Sequence, residues 1–305
     1  MSADATPSAG TSLFADSKGR EVPAPDFGGL PIADTHAHLG MLDDPGLALA
    51  RAALAGVVLV ATVADPSEDG RDTYESLDLW LESAARTIEA NGPGERSFGL
   101  PEVRIITGVH PHNAKNLTPQ VEAELIRHLS DARTAAVGEI GLDYHYDHSP
   151  RDVQRSAFRR QLEIAVEFDL PAVVHLREAH EDGAAIMRDV GLPRAGCILH
   201  CYTLGPDPLG PFLQMGCAVS FAGPVSFKKA DEIREAARVV PTDRILTETD
   251  CPFMAPEPFR GRTNEPALVV FTAARLAAAR EEELADFARH SFAAATRILG
   301  GGRPS

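Results

Sequence analysis

The chain has 305 residues, enough to bury a substantial core as one large domain or two small ones. Its 44% hydrophobic and 24% charged content exclude a largely disordered or fibrous protein. With 29 Lys+Arg against 44 Asp+Glu, the formal charge is −15, which excludes a protein that coats DNA through a broad basic face.

Residues 1–29 are rich in Ser, Ala, Pro, Gly and Asp and lack a basic start followed by an apolar run. They read as a flexible tail, not a secretory signal. Eight short apolar runs follow, at Leu30–Thr35, Val57–Val63, Val103–Val109, Ala135–Glu139, Pro171–His175, Gly196–His200, Cys217–Phe221 and Arg244–Thr249. Near-continuous apolar runs suit strands buried on both faces, as in a parallel sheet. Helical stripes are predicted at Arg151–Phe168, Asp231–Val239 and Pro266–Ala279, with two further helices at Glu281–Arg289 and Phe292–Leu299. Strand–helix alternation with eight strands predicts a single-domain (β/α)8 TIM-type barrel over residues 30–300, with 301–305 as a short C-terminal tail. A doubly wound open sheet is the runner-up, but no G-x-G-x-x-G follows the first strand.

Cys197, Cys201, Cys217 and Cys251 form no C-x-x-C pair, so reduced cytosolic thiols are expected. The lysines are few: Lys18, Lys115, Lys228 and Lys229. None lies mid-chain, which argues against Schiff-base chemistry there. No apolar run approaches the ~20 residues of a membrane helix, and a soluble cytoplasmic protein is expected.

Catalytic groups of such barrels sit at the C-terminal strand ends. There the sequence places His36 and His38, His110 and His112, Glu139, His175 with Arg177, His200, and Glu248 with Asp250. His128, His145, His148, His180 and His290 fall on expected loops or helix surfaces. One such histidine is ordinarily structural, and Asp250 alone could cap a turn. Convergence of His36, His38, Glu139, His175, His200 and Asp250 on one mouth is different, because buried carboxylates without a cation lose their hydration. Divalent metal binding resolves that cost.

The motifs ADTHAHL (33–39), GVHPH (108–112), AVGEIGLDYHY (136–146), PAVVHLREAH (171–180), GCILHCYT (196–203), VSFAG (219–223) and TETDCPFMAPEPFRGRTNEP (247–266) together resemble the TatD family of metal-dependent hydrolases, often called TatD-type deoxyribonucleases. Only the residues before Leu30 and the segment Asp65–Gly94 lie outside the resemblance. It implies that His36, His38, Glu139 and Asp250 hold one metal, while Glu139, His175 and His200 hold a second. Asp250 is then the general base, with Glu139 the shared bridge. His110, His112 and Arg177 would contact substrate, while Glu248 and Arg260 would brace the last loop. The ions could be Zn, Mg or Mn; mixed imidazole and carboxylate donors suit a transition metal better than Mg.

The resemblance implies a 3′-5′ exonuclease acting on short or frayed single-stranded DNA ends through a water activated by two metals. A hydrolase of a small-molecule ester, lactone or amide, aminoacyl esters included, is the alternative, because one fold hosts both chemistries. A non-catalytic metal-binding scaffold is a third reading. Trp80 is the only tryptophan and no aromatic basic stripe is present, so substrate contact would be confined to a few residues. No obligate protein partner and no membrane association are expected.

Overall fold

The computed structural model describes residues 13–68, 70–91 and 99–300. In chain order the elements are β1 (Ile32–Ala37), α1 (Pro45–Leu54), β2 (Val57–Ala64), α2 (Gly70–Asn91), β3 (Glu102–Thr107), α3 (Pro119–His128), β4 (Thr134–Asp143), α4 (Arg151–Phe168), β5 (Ala172–Arg177), α5 (His180–Val190), β6 (Cys197–Leu199), α6 (Gly210–Gln214), β7 (Ala218–Phe221), α7 (Asp231–Val239), β8 (Ile245–Thr247), α8 (Val269–Arg280) and α9 (Leu284–Leu299). The eight strands form one parallel sheet in the order β1 to β8, the (β/α)8 arrangement and not a doubly wound sheet.

Alternation along the strands builds two apolar layers. Val60, Ile105, Val137, Val174, Val219 and Ile245 pack into the larger core together with helix residues such as Leu49, Phe158 and Phe287. Their neighbours Leu59, Ala61, Ile106, Ala136, Val173, Ile198 and Leu246 form a second, smaller core that includes Ala295, Ile298 and Leu299 of α9. Gly196, just before β6, lies next to Ile298. That contact places the end of α9 under the N-terminal end of the barrel. The opposite, C-terminal end is left for chemistry.

The seam between β8 and β1 is closed largely by side chains. Thr247 donates its hydroxyl to the Ala33 carbonyl at 2.8 Å, and Thr35 donates to the Thr247 carbonyl at 3.0 Å. Beyond the strands, the Asp250 amide donates to the His36 carbonyl and the His38 amide to the Cys251 carbonyl, each at 2.9 Å. These bonds set Asp250 beside the two first-strand histidines.

β4 continues four residues past its expected end at Glu139. Its register against β5 shifts between Val137 and Ile140 and then resumes to Asp143. A shift of this kind re-aims a side chain, and Glu139 lies within it. The strands come so close beyond it that a Cβ on Gly141 would stand 1.9 Å from the His175 carbonyl oxygen. Only glycine is accommodated there.

Three expectations change, and segment 65–94, for which the sequence predicts no element, carries a helix. The helices expected at Glu281–Arg289 and Phe292–Leu299 are one helix, α9, because no proline or glycine interrupts Arg289–Phe292. Within the residues expected as a flexible tail, Phe14 and Phe27 are buried, and the Phe14 ring centroid lies 4.9 Å from Phe271 and 6.0 Å from Phe259. Segment 65–94 contains the 22-residue helix α2, whose Tyr74, Leu77 and Ala84 join the main core. His128, expected on a surface, is buried and stacked on Tyr74 at 4.2 Å. Residues 1–12, 92–94 and 301–305 lie outside the described residues. Among those described, no helix is long and apolar enough to cross a membrane.

Candidate metal centre

Strand ends bring the anticipated residues together around Glu139. His36 reaches it from β1, with Nε2 3.3 Å from Oε2. His110, after β3, has Nε2 3.5 Å from Oε1. His175 on β5 places Nδ1 2.8 Å away, and His200 after β6 places Nε2 3.2 Å away, both from Oε1. Asp250, after β8, approaches His38 Nε2 at 3.3 Å and His36 Nε2 at 3.9 Å. Six strand ends thus meet at one buried point. Four donor triplets there, His36–His38–Glu139, His36–His200–Glu248, His110–Glu139–His175 and His200–Cys201–Asp250, each have ligand atoms within 4.8 Å of one another.

The donor set fits a divalent cation on the structure's own terms. Nδ1 of fully buried His36 has no hydrogen-bond partner, and its Nε2 faces the Glu139 and Asp250 carboxylates without hydrogen-bond geometry, an arrangement that suits a coordinating imidazole. Burial raises the Glu139 carboxyl, but the His200, His110 and His36 imidazoles outweigh it and hold Glu139 well below the usual carboxylate range. Asp250 behaves alike: burial raises it, and the His38 hydrogen bond with the charges of His200, His38 and His36 brings it below its ordinary value. Both carboxylates are therefore held in the ionised form that a metal ligand needs.

The imidazoles divide. Burial keeps His36 and His110 below the ordinary histidine value. His38, His175 and His200 are also opposed by burial, but contacts with Asp250, with Asp143 and Glu139, and with Glu248 and Glu139 respectively raise them. His110 is moreover fixed in one tautomer, since its Nδ1 accepts the His112 amide at 3.2 Å. When neutral, its proton sits on Nε2 and points into the site.

Two carboxylates not singled out in the sequence support these rings. Asp143 accepts from Nε2 of His112 at 3.0 Å and is 3.2 Å from Nε2 of His175. Asp34 accepts the Thr249 amide at 2.8 Å and its hydroxyl at 2.6 Å, tying β1 to the chain that carries Asp250. Parity was the available signal: Asp143 lies four residues after Glu139 and Asp34 two before His36, on the same strand faces. Glu248 accepts the Cys201 amide at 2.7 Å and faces Nδ1 of His200 at 3.0 Å. Arg260, expected to brace the last loop, is exposed with its guanidinium 4.4 Å over the Phe227 ring. Arg177 lies at the rim with its guanidinium 4.7 Å over the exposed ring of Tyr146. All four cysteines are free thiols.

A (β/α)8 barrel gathering imidazoles and carboxylates at its C-terminal mouth defines a metal-dependent hydrolase. A family model described as TatD related DNase matches residues 33–300, and the chain belongs to that family. It is 36% identical over 248 residues to the uncharacterized metal-dependent hydrolase YcfH of Escherichia coli (strain K12), covering 74% of this chain and 91% of that one. It is 35% identical over 187 residues to the 3′-5′ ssDNA/RNA exonuclease TatD of Pantoea vagans (strain C9-1), covering 59% of this chain and 72% of the relative. Among solved structures, YJJV, a TatD homolog from Escherichia coli K12, matches the fold with a TM-score of 0.75 at 24% identity, covering 88% of this chain and 97% of that chain.

Proposed function

We propose that this hydrolase removes nucleotides from the 3′ end of single-stranded DNA, using two divalent ions. The observation that supports it most is Glu139, one buried carboxylate contacted by imidazoles from four strand ends, as a ligand shared by two cations requires. His36, His38, Glu139 and Asp250 would hold one ion, and Glu139, His175 and His200 the other. Zinc or manganese suits these mixed donors better than magnesium. Bound there, the ions would polarise the phosphoryl oxygens and acidify the attacking water.

The chain's own residues supply the rest. Asp250, ionised and at the mouth, accepts the proton of the attacking water. His110 donates its Nε2 proton to a phosphoryl oxygen, since its other nitrogen already accepts the His112 amide. Arg177 forks onto a phosphate at the rim, oriented by the Tyr146 ring beneath it. His112 holds one ring nitrogen on Asp143 and lines the same rim. The exonuclease name of the Pantoea vagans relative supports a polynucleotide substrate. The net charge of −15 favours short or frayed ends over long duplex.

The test is turnover by metal-depleted protein reconstituted with Zn, Mn or Mg, on single strands labelled at either end and on paired carboxyl esters. Mononucleotide release from the 3′ end, lost in His200→Ala, is the expected result. Ester cleavage without nucleotide release would overturn the reading.

A further inference from the structure

The same end of the barrel carries a second feature that the metal centre does not use. A cleft of about 700 Å³ opens between the loops after β6, β7 and β8, lined among others by Thr203, Phe227, Lys228, Lys229 and Arg260. Those loops also carry His200 and Asp250, so the cleft lies on the catalytic face. In a chain with only four lysines and a charge of −15, two adjacent lysines and an arginine around one cleft make a local reversal of sign.

The three cations are exposed, and among the described residues none is ion-paired with a carboxylate. The lining also contains two acids, Asp231 and Glu232. Asp231 is engaged by the Arg234 guanidinium on its own helix. Glu232 remains, leaving three unpaired cations against one such carboxylate. The Arg260 guanidinium carbon lies 4.4 Å over the Phe227 ring, a cation–π contact that uses none of its N–H donors and leaves them available to an oxyanion.

The walls are fixed. The Glu257 amide donates to the Ser226 hydroxyl at 2.9 Å, joining the loop after β7 to the loop after β8. The same two loops touch so closely that a Cβ on Gly223 would stand 1.9 Å from the Met254 carbonyl oxygen. Arg260 and the two lysines therefore present their charge from a preorganised frame.

We propose that this cleft binds the phosphodiester backbone of the substrate strand beyond the nucleotide being hydrolysed. The inference rests on the phosphodiesterase reading of the metal centre and names where the rest of the strand lies. Lys228 and Lys229 act as point charges on successive phosphates, and Arg260 grips one phosphate through two N–H groups. A strand held this way needs no broad basic surface, which reconciles an acidic protein with a polyanionic substrate.

Binding, measured apart from turnover, tests it. A fluorescent single-stranded oligonucleotide with hydrolysis-resistant phosphorothioate linkages is titrated against the metal-loaded full chain. The variants are Lys228→Gln/Lys229→Gln, Arg260→Gln and, as a control matched in charge to the Arg260 variant, Arg194→Gln on the exposed loop before β6. Loss of the two lysines should weaken binding about tenfold at moderate salt and reduce the slope of log affinity against log salt by about 1 to 2. Arg260→Gln should also weaken it, and Arg194→Gln should bind like the native chain. Equal affinity across all four proteins would overturn the proposal. So would displacement of the oligonucleotide by inorganic phosphate at equal phosphate concentration, which would mark a single-anion site. Strand binding lost in the lysine variant, in a protein with no nuclease turnover, would sink the catalytic reading alone and uphold the cleft. Turnover with binding unchanged in the variants would do the reverse.

Discussion

Asp143 faces Nε2 of His175 at 3.2 Å, while the other nitrogen of that ring meets Glu139 at 2.8 Å. The imidazole is thus held at both ends by carboxylates of one strand, four residues apart. A ring that gives one N–H to Asp143 presents the opposite lone pair towards Glu139, the orientation a metal ligand needs. Glu248 stands in a similar relation to His200, at 3.0 Å from Nδ1.

Asp143→Asn should therefore weaken metal binding at the His175 side by about 10- to 100-fold. An amide can offer its NH₂ to Nε2 and leave the proton on the wrong nitrogen. Metal titration followed by calorimetry checks this, with Asp143→Glu expected to recover part of the affinity. Unchanged affinity in the asparagine variant would remove Asp143 from any positioning role.

Metal binding should release protons, and more of them as pH falls through the neutral range. The contacts with Asp250, Asp143, Glu139 and Glu248 raise His38, His175 and His200 above the ordinary histidine value in the metal-free protein. Those rings hold protons that coordination must displace, so apparent affinity drops as pH falls below their raised values and levels off above them. Calorimetric titration in buffers of different ionisation enthalpy counts the protons. A count of zero near neutral pH would contradict this assignment of ring charges.

Phe14→Ala should destabilise the protein by about 3 to 5 kcal/mol, the range for truncating a buried aromatic ring. Phe14 packs on Phe259 and Phe271, and Arg51 donates to the Leu13 carbonyl at 2.9 Å. Urea unfolding reads the loss as a lower midpoint at unchanged slope. A change below about 1 kcal/mol would show that the segment contributes little to the folded state.

Native protein should resist alkylation at neutral pH. Cys197, Cys217 and Cys251 are buried, and burial drives the Cys201 thiol well above its ordinary value, aided by the charges of Asp250, Glu248 and Glu139. Thiolate is the reactive form, so labelling should appear only on unfolding. Mass spectrometry after iodoacetamide treatment provides the measure, and rapid modification of any of the four would contradict it.

Much of the architecture was legible from periodicity. Apolar runs marked all eight strands, and α4 and α7 begin and end at the predicted residues. α2, like α1, α3, α5 and α6, is not among the predicted helices; it lies in a segment outside the recurring motifs, and its packing on α1 and β2 shows its place. The buried Phe14 was missed for a related reason. A single aromatic in a Ser/Ala/Pro-rich stretch has no period to read, and its partners Phe259 and Phe271 lie far along the chain.

By itself the sequence determined which donors the protein owns and that they recur at strand ends, because strand alternation is a local property. Tertiary structure decided their arrangement. The register shift in β4 makes Glu139 the meeting point of four imidazoles, and the Asp34–Thr249 bonds across the β1–β8 seam bring Asp250 within reach of His36 and His38. It also gathered Lys228, Lys229 and Arg260 around one cleft, which the net charge of −15 conceals. The physical reason is common to all three. Composition and periodicity average over neighbours in the chain, whereas coordination and charge depend on distances between residues that only closure of the barrel brings together.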